Sequence, residues 1–404
     1  MSAASAIQRL ESLDRISEDP PRLTRTFLSP ASKTAAELIL TWMREAGLET
    51  AHAADGTLRG ILPGSHPESA PLLIGSHYDT VIDAGKYDGP LGIVSAIAAL
   101  EKLRGQQIVL PFPVHVLAFS DEEGVRFQTT YLGSRSILGP LDDATLATKD
   151  ATGKTLADTL ASEGWHEGAT PIHYPPGSAR GYIELHIEQG RVLEQLGHPA
   201  AAVSAIAGQT RLANRLTGHA DHAGTTPMPL RRDALAGAAE CILSAESLAR
   251  EHPPAVITVG KISVQPGASN TVPALADFTV DLRHPEDEAR HALRIELQER
   301  FLTIADARDL ALDWRVVQDS PATPCAPDLT APLLASTRAI TGHAETLVSG
   351  AGHDGVALAA AMPIGMLFLR CRNGLSHHPD EFASPEDIAT GIEILTHFLT
   401  HLAP

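Results

Sequence analysis

The chain has 404 residues, which is enough for two or three domains with substantial cores. Its 31 Lys and Arg residues against 49 Asp and Glu residues give a net charge of −18, which would repel a phosphate backbone and excludes nucleic acid as an expected partner. Hydrophobic residues make up 43% and charged residues 20%, as in soluble globular proteins, so neither disorder nor a fibrous repeat is expected.

Cysteine usage and the N-terminal sequence predict a cytoplasmic protein. Cys241, Cys325 and Cys371 are far apart and form no CxxC motif, which argues against a disulfide framework and against a thiolate metal site. The N-terminal segment carries charges at helical spacing where a signal peptide needs an apolar stretch, and no run of eighteen apolar residues follows. We therefore expect no membrane partner.

The first part of the chain alternates between helical and strand patterns. Apolar residues recur at helical spacing over 2–17 and 30–46, and Ser29-Pro30 and Gly47 are typical of the ends of the second helix. Short apolar runs predict buried strands over 71–79, 114–123 and 181–189, with helices over 90–104 and 155–163 between them. This alternation predicts an α/β sheet.

From about residue 210 the pattern becomes that of a separate α+β sandwich. Strands are predicted in RLANRLTG, VITVGKISVQ, ADFTVDLRH and ALDWRVVQ, and helices over 230–251 and 286–306. The proline-rich run 321–328 is predicted to return the chain to the first domain, which ends with helix 329–341, strand GMLFLRC and a helix capped at Ser384-Pro385. We expect an inserted domain over 210–326 between two parts of a catalytic domain, 1–209 and 327–404.

Imidazole and carboxylate groups follow several predicted strands, at the positions where α/β sheets place ligands. The candidates are His77, Asp79, Asp88, Asp121, Glu122, Glu123, His186, Glu188, Gln189, His377, His378 and Glu381. Each of them taken alone is also explained as a hydrogen-bonded, capping or solvated residue. Together they favour a metal centre, since oxygen and imidazole ligands without thiolate suit Zn²⁺, Mn²⁺, Co²⁺ or Ni²⁺. The set exceeds the needs of one tetrahedral ion, and two ions roughly 3.5–4 Å apart would use it and hold a hydroxide nucleophile.

Six motifs spread over nearly the whole chain carry a family resemblance. GSHYDT, DGPLG, SDEEG, HIEQG, GHADHAGTTPM and GLSHHPDE, in this order, resemble the dinuclear metalloamidases of the M20 family. HIEQG and HAGTTPM favour the hydantoinase/carbamoylase branch over the peptidases. The resemblance implies a metallopeptidase-like catalytic domain with a mixed central sheet, a smaller dimerisation and lid domain, two divalent ions per subunit (Mn²⁺ or Zn²⁺, with Co²⁺ or Ni²⁺ as alternatives) and a homodimer.

The resemblance also assigns the metal ligands. It implies that Asp88 bridges the two ions, that His77 and His186 complete one of them, and that Glu123 and His377 complete the other. The spacing of the family motif selects His377 over the adjacent histidine.

Two further carboxylates receive roles in the same way. Asp79 is similar to the carboxylate that orients His77 through its far ring nitrogen. Glu122 is similar to the general base that takes a proton from water and returns it to the leaving nitrogen.

The resemblance places the groups that bind substrate mainly in the inserted domain. His222, rather than His219, is expected to donate to the developing oxyanion from the partner subunit, which would make the dimer catalytic. Gln189, Asn270 and Arg283 match positions that bind the carboxylate and ureido group of a small anionic ureide. Without the resemblance, Arg283 would be interpreted as a surface ion pair.

The run MLFLRCRNGLSHHPDE decides the expected substrate. It resembles that of some allantoate amidohydrolases, and Arg370 and Arg372 would add positive charge for an anionic diureide, although either is equally explained as a structural ion pair. We expect hydrolysis of the terminal ureido C–N bond of allantoate, with N-carbamoyl-L-amino acid hydrolase or β-ureidopropionase as the alternative and a peptidase as a remote one. GAGHDGVAL departs from the family pattern and leaves His353 and Asp354 without an assigned role.

Three alternative functions have weaker support in the sequence. GAGHDG (350–355) satisfies GxGxxG, but the His-rich loop that follows offers no strand ending in a ribose-binding acid, so an NAD-dependent oxidoreductase is disfavoured. No GxSxG motif supports a serine hydrolase. A metal-free binding protein is disfavoured because every ligand position is filled.

Overall fold

The computed structural model describes residues 3–403. Its helices are α1 (Ala3–Asp14), α2 (Pro30–Glu45), α3 (Pro90–Gly105), α4 (Leu132–Ser136), α5 (Asp143–Leu146), α6 (Leu156–Glu163), α7 (Val192–Leu196), α8 (Ala234–Glu251), α9 (Asp287–Ala307), α10 (Pro327–Thr341), α11 (Gly355–Leu358) and α12 (Pro385–His401). Its strands are β1 (Glu49–His52), β2 (Leu58–Leu62), β3 (Leu72–His77), β4 (Val114–Phe119), β5 (Gly181–Ile187), β6 (Ala200–Ile206), β7 (Gly208–Thr217), β8 (Asp221–His222), β9 (Val256–Thr258), β10 (Ile262–Gln265), β11 (Thr271–Val272), β12 (Leu275–His284), β13 (Ala311–Ser320), β14 (Thr323–Pro324), β15 (Thr346–Ser349) and β16 (Ile364–Leu369).

The chain divides into two compact units. The larger unit comprises the residues up to 204 together with those from 325 onward, and the smaller unit comprises 205–324. The boundaries expected from the sequence, at 209/210 and 326/327, lie within a few residues of these.

The larger unit is built on a mixed sheet in the order β1-β2-β4-β3-β5-β16-β6-β14, with β15 beside β6. Strands β3, β4, β5 and β16 run parallel to their neighbours within this group, whereas β1, β2 and β6 pair antiparallel. Every residue of β3, β5 and β16 is buried, as expected for parallel strands covered on both faces. This confirms the predicted α/β class with a mixed central sheet.

Strand direction places the functional motifs. In the parallel pair β3–β4, His77 lies opposite Phe119, and β3 also runs parallel to β5. The carboxyl ends of the three strands therefore meet at one edge of the sheet, and the loops that follow them lie together.

The smaller unit has a separate antiparallel sheet. Its order is β10-β12-β7-β13, with β9 also paired to β12, and α8 and α9 pack against it around a core that includes Leu212, Phe278 and Phe301. A two-stranded ribbon of β8 and β11 lies apart from this sheet. The separate antiparallel sheet confirms that part of the predicted fold class.

Several elements differ from the sequence-based expectation. The predicted strands 71–79, 114–123 and 181–189 end two to four residues early, because the polar residues that follow His77, Phe119 and Ile187 form loops. The expected helix over 2–17 ends at Asp14, and residue 2 lies outside the described residues. Strands β1, β2 and β6 are not expected from the sequence, whereas β15 matches the plausible strand ETLVS that precedes GAGHDG. No helix within residues 3–403 is both long and apolar enough to cross a membrane.

Candidate metal centre

The backbone brings the candidate ligands to one place. Asp88 lies directly before α3, whose N-cap is Gly89 at φ +83°, and a Cβ atom at Gly89 would come within 2.5 Å of Cε1 of His77. Only glycine permits both this left-handed backbone and this close approach without strain. The loop that carries Asp88 can therefore pack directly against the end of β3.

The two carboxylate oxygens of Asp88 face different partners. Oδ1 lies 3.4 Å from Nε2 of His77 and 3.2 Å from Nε2 of His186. Oδ2 lies 3.5 Å from Nε2 of His377, which in turn lies 3.4 Å from Oε1 of Glu123. The structure thus brings the five candidate ligands together in two groups that share Asp88.

The donor set fits divalent cations. Nε2 of His186 is buried and has no hydrogen-bond partner among residues 3–403, although it faces a carboxylate oxygen. Nitrogen and oxygen atoms spaced by 3.2–3.5 Å match ligands of a common ion with bonds of about 2.0–2.2 Å. Imidazole and carboxylate donors without thiolate suit Zn²⁺, Mn²⁺, Co²⁺ or Ni²⁺.

The cluster attracts positive charge. The hydrogen bond to Glu123 raises the pKa of His377 to about 9 against the effect of its partial burial. Burial opposes protonation of His77, but its hydrogen bonds to Asp79 and Asp88 raise its pKa well above the ordinary value. The same field that holds protons on these rings would favour a cation among them.

Asp79 links three parts of the centre. Its Oδ1 lies 3.3 Å from Nδ1 of His77, on the far side of the ring from Asp88. Its two oxygens accept hydrogen bonds from the backbone N–H groups of Glu122 (3.0 Å) and Glu123 (3.2 Å). The backbone carbonyl oxygen of Asp79 lies 3.1 Å from the same Nδ1 atom of His77, so Asp79 holds the His77 ring through its backbone and its carboxylate, and the carboxylate also holds the loop that follows β4.

Glu122 lies beside the candidate ligands. A carboxylate oxygen of Glu122 is within 4.8 Å of ligand atoms of His77 and Glu123, and its residue is 8% exposed. Burial, followed by repulsion from Glu123, raises the pKa of Glu122 well above the ordinary value for a glutamate. A buried carboxyl group whose pKa is raised in this way holds a proton more readily than an exposed glutamate does.

Three side chains from later loops hold Asp88. Glu381 accepts hydrogen bonds through Oε1 from the backbone N–H groups of Tyr87 (2.8 Å) and Asp88 (3.0 Å). Ser376 donates to Oδ2 of Asp88 and lies 3.2 Å from Oε2 of Glu381. The side-chain amide of Gln189 donates to the same Oδ2 at 2.8 Å. Gln189, expected from the sequence to bind substrate, therefore contacts the shared carboxylate.

Two buried residues next to His186, Glu184 and His353, have no role assigned to them from the sequence. Glu184, His186 and His353 form another group whose ligand atoms lie within 4.8 Å of one another. The His353 ring packs edge-on against His186 at 4.6 Å, and its Nε2 lies 2.8 Å from Oγ of Ser349. The sequence feature that could have identified Glu184 is its place inside the apolar run GYIELHI, because a carboxyl group is rarely buried unless it is paired or binds a metal ion.

Other candidates lie outside the cluster. Glu188 accepts hydrogen bonds from the backbone N–H groups of Val192 and Leu193 and so caps α7. His378 is exposed and accepts from the backbone N–H of Asp380.

The Arg370 guanidinium forms a two-pronged ion pair with a helix. Its Nε and Nη2 atoms donate to the carboxylate of Asp387, in the first turn of α12, at 3.0 and 2.8 Å. Asp387 is buried. This is the structural ion pair that the sequence left open as an alternative to substrate binding.

Within the smaller unit, His222 has a defined tautomer. Its Nδ1 accepts hydrogen bonds from the backbone N–H groups of Gly224 (3.1 Å) and Thr225 (3.2 Å). In the neutral ring the proton must then lie on Nε2, so the exposed imidazole is a hydrogen-bond donor. The β8–β11 ribbon holds this loop to the segment of Asn270, whose carbonyl accepts from Ala223 at 2.9 Å.

Arg283 lies elsewhere in the smaller unit, on β12. Its Nε and Nη2 donate to the two carboxylate oxygens of Asp281 at 2.8 and 3.0 Å. A cavity beside it is lined by Arg211, Thr258, Asp281 and Arg283 among others.

Comparison with known proteins identifies the family. Residues 73–401 match the sequence profile described as Peptidase family M20/M25/M40. The chain belongs to the M20 family.

Its relatives place it in one branch of that family. Allantoate deiminase of Arabidopsis thaliana is 42% identical over 96% of this chain and 81% of its own length. N-carbamoyl-L-amino acid amidohydrolase of Geobacillus stearothermophilus is 37% identical over 98% of this chain and 97% of its own length. The crystal structure of a hydantoinase/carbamoylase family amidase from Burkholderia ambifaria matches with a TM-score of 0.91 at 32% identity, over 100% of this chain and 99% of that one. The protein is an M20 amidohydrolase of the hydantoinase/carbamoylase branch.

This membership confirms the resemblance found in the sequence and the assignment to hydrolases acting on C–N bonds. It also decides against the oxidoreductase hypothesis. In the structure, GAGHDG leads from β15 into α11, a helix of four residues, rather than into the long helix of a dinucleotide-binding unit.

Proposed function

We propose that this M20 amidohydrolase cleaves the terminal ureido C–N bond of allantoate, releasing ammonia and, through a carbamate, carbon dioxide. The observation that carries the proposal is that the two carboxylate oxygens of Asp88 face two different pairs of candidate metal ligands, with the buried carboxyl group of Glu122 beside them. The substrate is supported by allantoate deiminases of three plant species that are 41–42% identical to this chain over 96–98% of its length.

In this proposal, Asp88 and the four residues around it hold two divalent cations. Bound there, the cations would polarise the ureido carbonyl group and make water nucleophilic at neutral pH. Asp79 keeps the His77 ring in place, and Glu381 with Ser376 keeps Asp88 in place.

Glu122 moves the protons. Its carboxylate accepts a proton from the attacking water at an Oε atom and delivers it to the leaving nitrogen, which departs as ammonia. The position of the buried Glu122 carboxyl group beside the ligand atoms of His77 and Glu123 supports this role, because a general acid–base group must lie within reach of the reacting water and of the leaving nitrogen. The hydrogen bonds from the Glu122 and Glu123 N–H groups to Asp79 keep this loop from moving away.

The substrate groups of the smaller unit remain part of the proposal. Nε2–H of His222 is the donor to the oxyanion, which is supported by the two backbone N–H groups that occupy its Nδ1. Asn270 and Arg283 bind the ureido and carboxylate groups. Donation of His222 from the partner subunit of a homodimer is tested by mixing a His222→Ala variant with a Glu122→Gln variant. Recovery of activity in the mixture supports it, and an inactive mixture of exchanging subunits contradicts it.

One observation favours a second substrate class. Arg370 is the residue whose charge favours an anionic diureide in the sequence, and in the structure its guanidinium is ion-paired with Asp387. An N-carbamoyl-L-amino acid needs the same chemistry at its ureido group without that extra charge. The relative from Geobacillus stearothermophilus carries this activity in its name.

Ammonia release decides between these substrates. The protein, reconstituted with Mn²⁺ and in parallel with Zn²⁺, is given allantoate, N-carbamoyl-L-amino acids, N-carbamoyl-β-alanine and a dipeptide in separate reactions. We expect the highest kcat/KM with allantoate. A higher value with an N-carbamoyl-L-amino acid would establish the second candidate, and no ammonia from any ureide would refute both.

A further inference from the structure

A second group of metal-ligating side chains lies in the larger unit and shares no residue with the centre around Asp88. His198 lies in the turn between α7 and β6, and His343 and Glu345 lie between α10 and β15. One ligand atom from each residue lies within 4.8 Å of the other two.

The contacts within this group leave two polar atoms unsatisfied. The His198 and His343 rings stack with centroids 3.8 Å apart and planes at 21°. Nδ1 of His198 lies 2.9 Å from Oε2 of Glu345. Both atoms are buried, and neither has a hydrogen-bond partner among residues 3–403. Buried polar atoms without hydrogen bonds are costly, and a cation bound to both of these atoms would satisfy them.

We propose that His198, His343 and Glu345 bind a divalent transition-metal ion such as Zn²⁺. Two imidazoles and one carboxylate are a known donor set of zinc sites that keep a further position for water. Tetrahedral bonds of 2.0–2.2 Å place ligand atoms roughly 3.3–3.6 Å apart, and the three ligand atoms already lie within 4.8 Å of one another. Binding requires the two stacked rings to turn so that the lone pair of each, which lies in the ring plane, faces the ion. A simple ion pair of His198 with Glu345 would account for their contact, but not for the second imidazole stacked beside it.

The position of the site indicates what the ion does. His198 precedes β6 and Glu345 immediately precedes β15, and these two strands pair in the central sheet. In sequence, the entire smaller unit lies between the two ligand segments. An ion that binds there only when the two strands are paired stabilises the native larger unit. This role is structural and does not depend on the proposed substrate.

Zinc counting tests the site without reference to activity. The full chain is equilibrated with Zn²⁺, and bound zinc per chain is measured by plasma mass spectrometry for the wild type, His343→Ala and Glu345→Gln. The matched control is His66→Ala, which removes another exposed imidazole from a loop. All four proteins keep the centre around Asp88, so any zinc bound there is common to them. We expect the wild type and the control to bind one more zinc ion per chain than the two site variants.

Two further measurements locate the ion and test its role. Crystals soaked in Zn²⁺ should show an anomalous peak in contact with His198, His343 and Glu345. Saturating zinc should raise the melting temperature of the wild type by about 3 °C or more beyond its effect on His343→Ala. Equal stoichiometry in all four proteins, or zinc peaks at the Asp88 centre alone, would overturn the site. Equal melting shifts would overturn its stabilising role.

Discussion

Replacement of Glu381 tests how the shared carboxylate is held. Glu381 is 4% exposed and accepts the backbone N–H groups of Tyr87 and Asp88 through Oε1. In Glu381→Ala both N–H groups lose their acceptor in a buried site, at about 1–3 kcal/mol for each. In Glu381→Gln the amide oxygen keeps both bonds, and the NH₂ group can donate to Ser376, which still donates to Asp88. The two variants should therefore differ strongly although both remove the charge.

The comparison is measured in two assays. Urea unfolding should show Glu381→Ala destabilised by about 2 kcal/mol or more, and Glu381→Gln by less than about 1 kcal/mol. Calorimetric titration should show metal affinity reduced about 10–100-fold in the alanine variant, since the ligand Asp88 is no longer fixed. Equal stability and equal metal affinity of the two variants would refute this reasoning, as would a glutamine variant as damaged as the alanine variant.

Three further substitutions separate catalysis, ligand orientation and stability. Glu122→Gln should keep metal and substrate binding but lower kcat about 10²–10⁴-fold, because the proton acceptor is lost, and a kcat within threefold of the wild type would contradict its role. Asp79→Asn turns an NH₂ group towards a backbone N–H donor and should weaken metal binding about 10–100-fold by calorimetry. An unchanged affinity would show that the Asp79 carboxylate is not needed to position His77, whose Nδ1 also lies 3.1 Å from the Asp79 carbonyl oxygen. Arg370→Ala leaves the buried carboxylate of Asp387 without its ion-pair partner. The variant should therefore have a free energy of unfolding lower by about 1–2 kcal/mol and an unchanged KM for allantoate. A raised KM at unchanged stability would instead indicate that Arg370 binds substrate.

The strand ends and helix caps could be predicted from the sequence because their signals are local. Ser29 and Ser384 each accept a backbone N–H in the first turn of a helix that begins with proline, as their sequence patterns indicate. The motif residues after β3 and β4 could be expected to meet because parallel strands end at one edge of a sheet. The gathering of His77, Asp88 and His186 is a direct result of that geometry.

What could not be predicted depends on contacts between distant segments. Strands β1 and β2 are only partly buried and carry charged residues, so no apolar run marks them. The sequence cannot tell whether Arg370 binds substrate or forms a structural ion pair. Only the position of Asp387 in the fold shows that Arg370 is paired. The contacts of Ser376 and Glu381 with the Asp88 loop join positions almost three hundred residues apart, for which a single sequence carries no signal.

The order of synthesis follows from the interrupted larger unit. β16 lies between β5 and β6 in the sheet, yet it is translated after the whole of 205–324, and His377 comes later still. On the ribosome, the smaller unit can fold before β16, a central strand of the larger sheet, has been synthesised. His377, the last of the five proposed ligands in the chain, is therefore synthesised late, so the proposed metal centre cannot be completed on a shorter nascent chain.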